Sequence, residues 1–149
     1  MQLTKNFTLA EMLHSQIAVR HNITKQFNPP QSVINHLKLL CENVLQPPRN
    51  KIRKPIFISS GYRCRQVNDM VGGSAKSQHL TGQAADFTAA DFTPEELFQY
   101  IKASNILYDQ LIQEFDQWVH ISYHPIREKN RKQCLRAVKQ KGKTIYLTG

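Results

Sequence analysis

Six histidines occur in this chain, at positions 14, 21, 36, 79, 120 and 124, and the company of His79 is what suggests chemistry. It lies in Gly72-Gly73-Ser74-Ala75-Lys76-Ser77-Gln78-His79-Leu80-Thr81-Gly82-Gln83-Ala84-Ala85-Asp86, so an imidazole and a carboxylate stand seven residues apart. Gly82 allows a tight turn between them, and Ala84 and Ala85 allow close packing, so both groups can converge on one point. Two donors make half a metal site. A catalytic zinc ion takes three protein ligands from His and Asp/Glu and keeps a fourth position for water. His120 is the best third donor. It sits mid-strand in Trp118-Val119-His120-Ile121-Ser122, between apolar residues that point to the opposite face. Alone, such a histidine reads as structural; beside His79 and Asp86 it reads as a ligand. His124 falls about 13 Å further along an ideal strand, too far to share the ion, and is expected to be a supporting or surface residue. His14, His21 and His36 lie in or beside N-terminal helices and read as surface or capping residues.

Elements that must position these groups can be read from caps and periodicity. Thr8 and Glu11 form a capping box that starts a short helix. Pro29-Pro30 precedes Val33, Ile34, Leu37, Leu40, Cys41, Val44 and Leu45, which share one helical face, and Pro47-Pro48 is expected to end that helix. Ile56-Phe57-Ile58 reads as a buried strand entering a Ser59-Ser60-Gly61 turn. A second capping box, Thr93 to Glu96 with Pro94 at the first helical position, starts a helix that turns Leu97, Phe98 and Ile101 inward. Leu111-Ile112 and residues 118–123 read as two strands joined around Asp116-Gln117. Residues 137–138 and 144–147 flank Lys141-Gly142 as a last hairpin. Helices come first and then mix with strands without βαβ regularity, which predicts an α+β fold. Residues 1–149 are expected to form one domain that includes the basic C-terminal segment 127–149.

Composition narrows the class. The hydrophobic share of 40% supports a real core, and no apolar run is long enough to span a membrane. Three cysteines without a CxxC pair argue against a disulfide framework and a four-cysteine zinc module; Cys41 falls in the helical apolar pattern and is expected to be buried. The first residues, MQLTKNFTLAEML, lack the apolar region of a secretory signal, so synthesis in the cytoplasm is expected. The net charge of +9 is uneven. Residues 127–143 hold eight Lys/Arg and one Glu, a local +7 that attracts polyanions, with anionic envelope polymers as one candidate. No aromatic residue interrupts that stretch, so a stacking platform for single-stranded nucleic acid is poorly supported there, and no nucleic-acid partner is expected.

The pattern Ser77-x-His79-x-x-Gly82-x-x-x-Asp86 followed by Trp118-Val119-His120 resembles the zinc D-Ala-D-Ala peptidases. That group comprises D,D-carboxypeptidases, D,D-dipeptidases and phage L-alanyl-D-glutamate endolysins. Ser59-Ser60-Gly61-Tyr62-Arg63, Asn68 and Gly72-Gly73-Ser74 also resemble the stretch before the first zinc ligand there. The likeness spans roughly residues 7–124. It implies a hedgehog/D,D-peptidase-like fold, with a small central, mainly antiparallel sheet packed by N-terminal and mid-chain helices. It further implies zinc bound by His79, Asp86 and His120, Arg63 on the scissile carbonyl or a substrate carboxylate, and Ser77 at a substrate terminus. Ser60 and Gly61 are expected only to shape the turn. The implied substrate is a peptidoglycan stem peptide, cut at a D-Ala-containing or L-Ala–D-Glu bond by a monomer. A phage or prophage endolysin fits, acting on the wall after release through a permeabilised membrane.

One position departs from that pattern. Many relatives carry the general base three residues before the last zinc histidine, where this chain has Gln117, which cannot take a proton. Glu114 is the expected substitute, with Asp116 as the alternative. The same glutamine favours a second reading, a zinc-binding module of the same fold without hydrolysis. A third, nucleic-acid binding, rests on bulk charge alone.

Overall fold

A computed structural model describes all residues, Met1–Gly149. Strands β1 (Gln2–Thr4) and β2 (Phe7–Thr8) pair antiparallel ahead of α1 (Leu9–Leu13). The expected capping box starts that helix: the Glu11 amide donates to Thr8 Oγ1 at 3.2 Å, and the Thr8 amide donates to Glu11 Oε1 at 3.0 Å. Helix α2 (Gln16–Arg20) and a 3-10 turn (Thr24–Phe27) lead to α3 (Gln31–Leu40), which buries Val33, Leu37 and Leu40. Pro47-Pro48 does not end this helix. A π-helical turn (Cys41–Leu45) carries it into α4 (Gln46–Ile52), with the prolines in the first turn. Proline within a regular α-helix would meet the carbonyl four residues back and remove a hydrogen bond. The π turn interrupts the regular hydrogen-bond ladder, and prolines are tolerated where a new helical segment begins.

The sheet contains β3 (Ile56–Ser60), β4 (Ala84–Ala89), β6 (Trp118–Ser122), β5 (Gln110–Glu114), β7 (Gln133–Gln140) and β8 (Lys143–Thr148), in that spatial order. Every pairing is antiparallel except that of β5 with β7, so the α+β, mainly antiparallel expectation holds. The β5–β6 turn is centred on Phe115 and Asp116, at φ +58° and +56°, one residue earlier than expected. Lys141 and Gly142 make the last hairpin turn, as expected.

Alternation gives this sheet two different faces. One packs on α6 (Pro94–Lys102), which starts on the expected capping box and buries Leu97, Phe98 and Ile101. On that side Arg136 stacks over Phe98 at 5.0 Å and pairs with Glu95, its Nη2 donating to Oε2 at 2.8 Å. The other face holds two rows of residues in register. Asp86, His120, Ile112 and Leu135 form one, and Trp118, Glu114, Ala137 and Tyr146 the other. All three cysteines are free; Cys41 is buried as expected, and burial pushes its thiol up to about 12. No helix is long and apolar enough to cross a membrane.

Candidate metal centre

Asp86 and His120 face each other across the β4–β6 pair, so sheet pleating alone aims both side chains at one side. His79 arrives from a 3-10 turn (Gln78–Thr81) between α5 (Arg65–Met70) and β4. The Ser77 hydroxyl caps this turn by accepting from the His79 amide at 3.2 Å. Gly82 ends it at φ +75°, where a Cβ would also lie 2.8 Å from the Val33 carbonyl oxygen on α3. Tight turning at Gly82 was legible in the sequence; the close approach of α3 was not.

The His79 ring is oriented by its Nδ1–H, which donates to the Gly61 carbonyl at 2.6 Å. A carbonyl only accepts, so Nδ1 carries a proton and Nε2 is the ring atom turned toward the cleft. Nε2 points at Asp86 Oδ1, 3.3 Å away, and His120 Nδ1 lies 2.9 Å from the same oxygen. The donor atoms of all three residues lie within 4.8 Å of one another. A tetrahedral zinc site with bonds near 2.0–2.1 Å separates its donors by about 3.3 Å, close to the spacing here. Two imidazole nitrogens and a carboxylate oxygen drawn together at this spacing are a zinc-type donor set, with the protons between them exchangeable for a metal ion. The residues therefore fit a divalent metal ion. Burial acts to raise the Asp86 pKa, but the imidazoles of His79 and His120 outweigh it and hold the carboxyl well below the usual range. For His120, burial acts to lower the pKa, and the bond to Asp86 reverses the balance upward.

These residues line an open cleft of about 840 Å³ that also contains Arg63, Glu114 and Trp118. Glu114 Oε1 accepts from the Trp118 indole at 2.6 Å, and burial raises the Glu114 pKa. Asp116 is exposed, lies outside the cleft and accepts from the Gln113 side chain; Gln117 is also exposed outside it. Of the two candidate carboxylates, Glu114 is the one sharing the cleft with the triad. Arg63 is pinned by its backbone amide, which donates to the His79 carbonyl at 3.0 Å. Its Nη2 lies 3.5 Å from Ser77 Oγ, and its buried Nε has no protein partner. Burial lowers the Arg63 pKa, against the opposing fields of Asp86 and Glu114. His124 accepts the Ile126 amide on its own Nδ1 at 3.0 Å and stands apart from the triad, as expected. Gly61 does more than shape a turn, because its carbonyl orients His79. No sequence signal marks a backbone acceptor 18 residues from its donor.

Histidine and aspartate donors on one sheet face, beneath a cleft that holds a carboxylate and a guanidinium, are the make-up of a metal-dependent hydrolase. The chain belongs to the Peptidase M15 family, whose model matches residues 5–122. This is the zinc-dependent family of D-Ala-D-Ala carboxypeptidases and endolysins. No curated protein matches the chain.

Proposed function

We propose that this chain is a zinc peptidase that hydrolyses peptidoglycan stem peptides at a D-Ala-containing or L-Ala–D-Glu bond, as a phage or prophage endolysin does. The observation that carries the reading is the convergence of His79, Asp86 and His120 in a cleft shared with Glu114 and Arg63. His79 Nε2, His120 Nδ1 and an Asp86 carboxylate oxygen would hold the ion. Zinc bound there would supply Lewis acidity, easing the loss of a proton from water and polarising the scissile carbonyl.

The chain's own groups do the rest. Trp118 holds Oε1 of Glu114, leaving Oε2 to accept the proton of the attacking water as the C–O bond forms. The same carboxyl then delivers that proton to the amine as the C–N bond breaks. Arg63 donates to the carbonyl oxygen as negative charge develops there. Ser77 Oγ accepts from the His79 amide and lies beside Arg63, so its own proton is free to meet a substrate terminus. The reading without hydrolysis rests on Gln117; in the hydrolase reading Glu114, which lines the same cleft, would take the base's role instead.

The same proposal treats residues 1–149 as one monomeric domain, made in the cytoplasm and acting on the wall once the membrane is permeabilised. Digestion of purified peptidoglycan, with muropeptides identified by mass spectrometry, tests it. New peptide termini that form with zinc and vanish with a chelator are expected; intact muropeptides in the presence of zinc would contradict it.

A further inference from the structure

The family match stops at residue 122, at the end of β6, yet the cleft extends further. Its remaining wall comes from β7 and β8, whose Leu135, Lys139, Thr144 and Tyr146 face into it. Register explains the arrangement: Glu114 lies beside Ala137, and Ala137 beside Tyr146. A small, fully buried alanine thus separates the two larger cleft residues. Tyr146 is 55% exposed overall, and partial burial of its hydroxyl, followed by the fields of Glu114 and Asp86, raises its pKa.

An aromatic strip runs from Glu114 to this wall. Trp118 donates to Glu114, and the Phe115 ring meets Trp118 edge-on at 5.7 Å between centroids. Phe115 holds a left-handed φ of +58°, an uncommon conformation for a bulky residue, and its amide donates to the Ala137 carbonyl at 3.0 Å. Lys139 Nζ sits 5.3 Å from the centroid of the Phe115 ring and donates to Thr144 Oγ1 at 2.9 Å. No carboxylate lies within 4 Å of this ammonium, whereas Arg131 and Arg136 nearby are paired with Asp109 and Glu95. Lys139 is therefore a cation held at two points on a cleft wall with no anion to meet it. Across the cleft, Lys76 is also exposed, but no side-chain hydrogen bond fixes its position.

We propose that Lys139, steadied by Thr144 and Phe115 on the cleft wall, is a specificity residue that receives an internal carboxylate of the bound peptide. The C-terminal hairpin would thus select stem peptides with free carboxylates over amidated ones. The identity of the ligand rests on the peptidase reading; the receptor geometry does not.

Trp118 is the only tryptophan and lies in the cleft, so its fluorescence reports occupancy without turnover. The full chain with zinc is mixed by stopped flow with L-Ala–γ-D-Glu–meso-diaminopimelate–D-Ala–D-Ala, or with the same peptide amidated at both internal carboxylates. The acid form is expected to bind about three- to tenfold more tightly. Lys139→Met removes that preference by weakening the acid form alone, and Lys139→Arg keeps it. Lys51→Met, which deletes the same charge from an exposed position of α4, leaves it intact. Equal binding of the two peptides, no quenching by either, or a preference that survives Lys139→Met would overturn the inference. If the preference follows Lys139 while digestion of peptidoglycan yields no product, the hydrolase reading fails and the carboxylate site stands. If product forms and Lys139→Met changes nothing, the carboxylate site alone fails.

Discussion

Glu114 and Asp116 are two residues apart, and the sheet treats them oppositely. Glu114 ends β5 on the cleft face, bonded to Trp118, whereas Asp116 sits in a left-handed turn with its carboxylate on Gln113. Glu114→Gln should therefore lower kcat about 10²- to 10⁴-fold with zinc content unchanged, while Asp116→Asn should stay within about twofold of wild type. Steady-state rates on a stem peptide, with metal content measured on the same samples, check both. Gly61 yields a second expectation at this scale. A Cβ there would run into the Met12 carbonyl and displace the acceptor of His79 Nδ1. Groups that orient a ligand typically contribute 10- to 100-fold to metal affinity, and Gly61→Ala should weaken zinc binding by about that factor. Competition with a chromophoric chelator measures it. The convergence of this trio was legible because His79 and Asp86 are near neighbours in sequence and His120 lies between two apolar residues of a strand. Gly61 was not legible, since a backbone carbonyl leaves no mark on residue type.

Local chemistry made the starts of elements readable and left some ends obscure. Both capping boxes form as expected, because Thr and Glu three residues apart satisfy the free amides with no help from distant parts of the chain. Pro47-Pro48 misled, because a stop signal presumes a regular helix before it, and the π turn at Cys41–Leu45 changes that premise. The parallel placement of β7 beside β5 was equally hidden, since strand alternation names the two faces but not the neighbour. One tie between α6 and that strand titrates. The Arg136 hydrogen bonds, followed by one from Gln99, hold the Glu95 carboxyl down at about 2, below the ordinary 4.5. A depressed carboxylate pKa adds stability above the unfolded value and loses it as pH falls through the folded one. Glu95→Gln should thus be less stable at pH 7 by about 0.5–1 kcal/mol, the range of exposed ion pairs. That gap should close as pH falls from about 4.5 toward 2. Urea denaturation of both proteins across this range gives the answer, and a gap independent of pH would contradict the assignment.

Charge belongs to the scale of the whole molecule. The sequence marks residues 127–143 as a basic block, but the fold divides it: Arg131 and Arg136 are held by Asp109 and Glu95, and Lys139 turns to the cleft. Arg127, Lys129, Lys132, Lys141 and Lys143 remain exposed and without a salt-bridge partner. They are the residues that would hold the protein near anionic envelope polymers. Retention on purified cell walls should fall several-fold between about 50 and 300 mM salt, and replacing Lys129 and Lys132 by Gln should flatten that dependence. Binding that ignores salt would remove this role. The shared cleft itself could not be read from local pattern, because one wall comes from the 72–77 loop and another from a hairpin some sixty residues later. The proposed hydrolysis depends on His79, Asp86 and His120 together holding one zinc ion. Metal analysis of the dialysed protein beside Asp86→Asn and His120→Ala tests it most directly. About one zinc per chain in the wild type and almost none in either variant is the expected result; full occupancy in the variants, or none in a folded wild type, would contradict it.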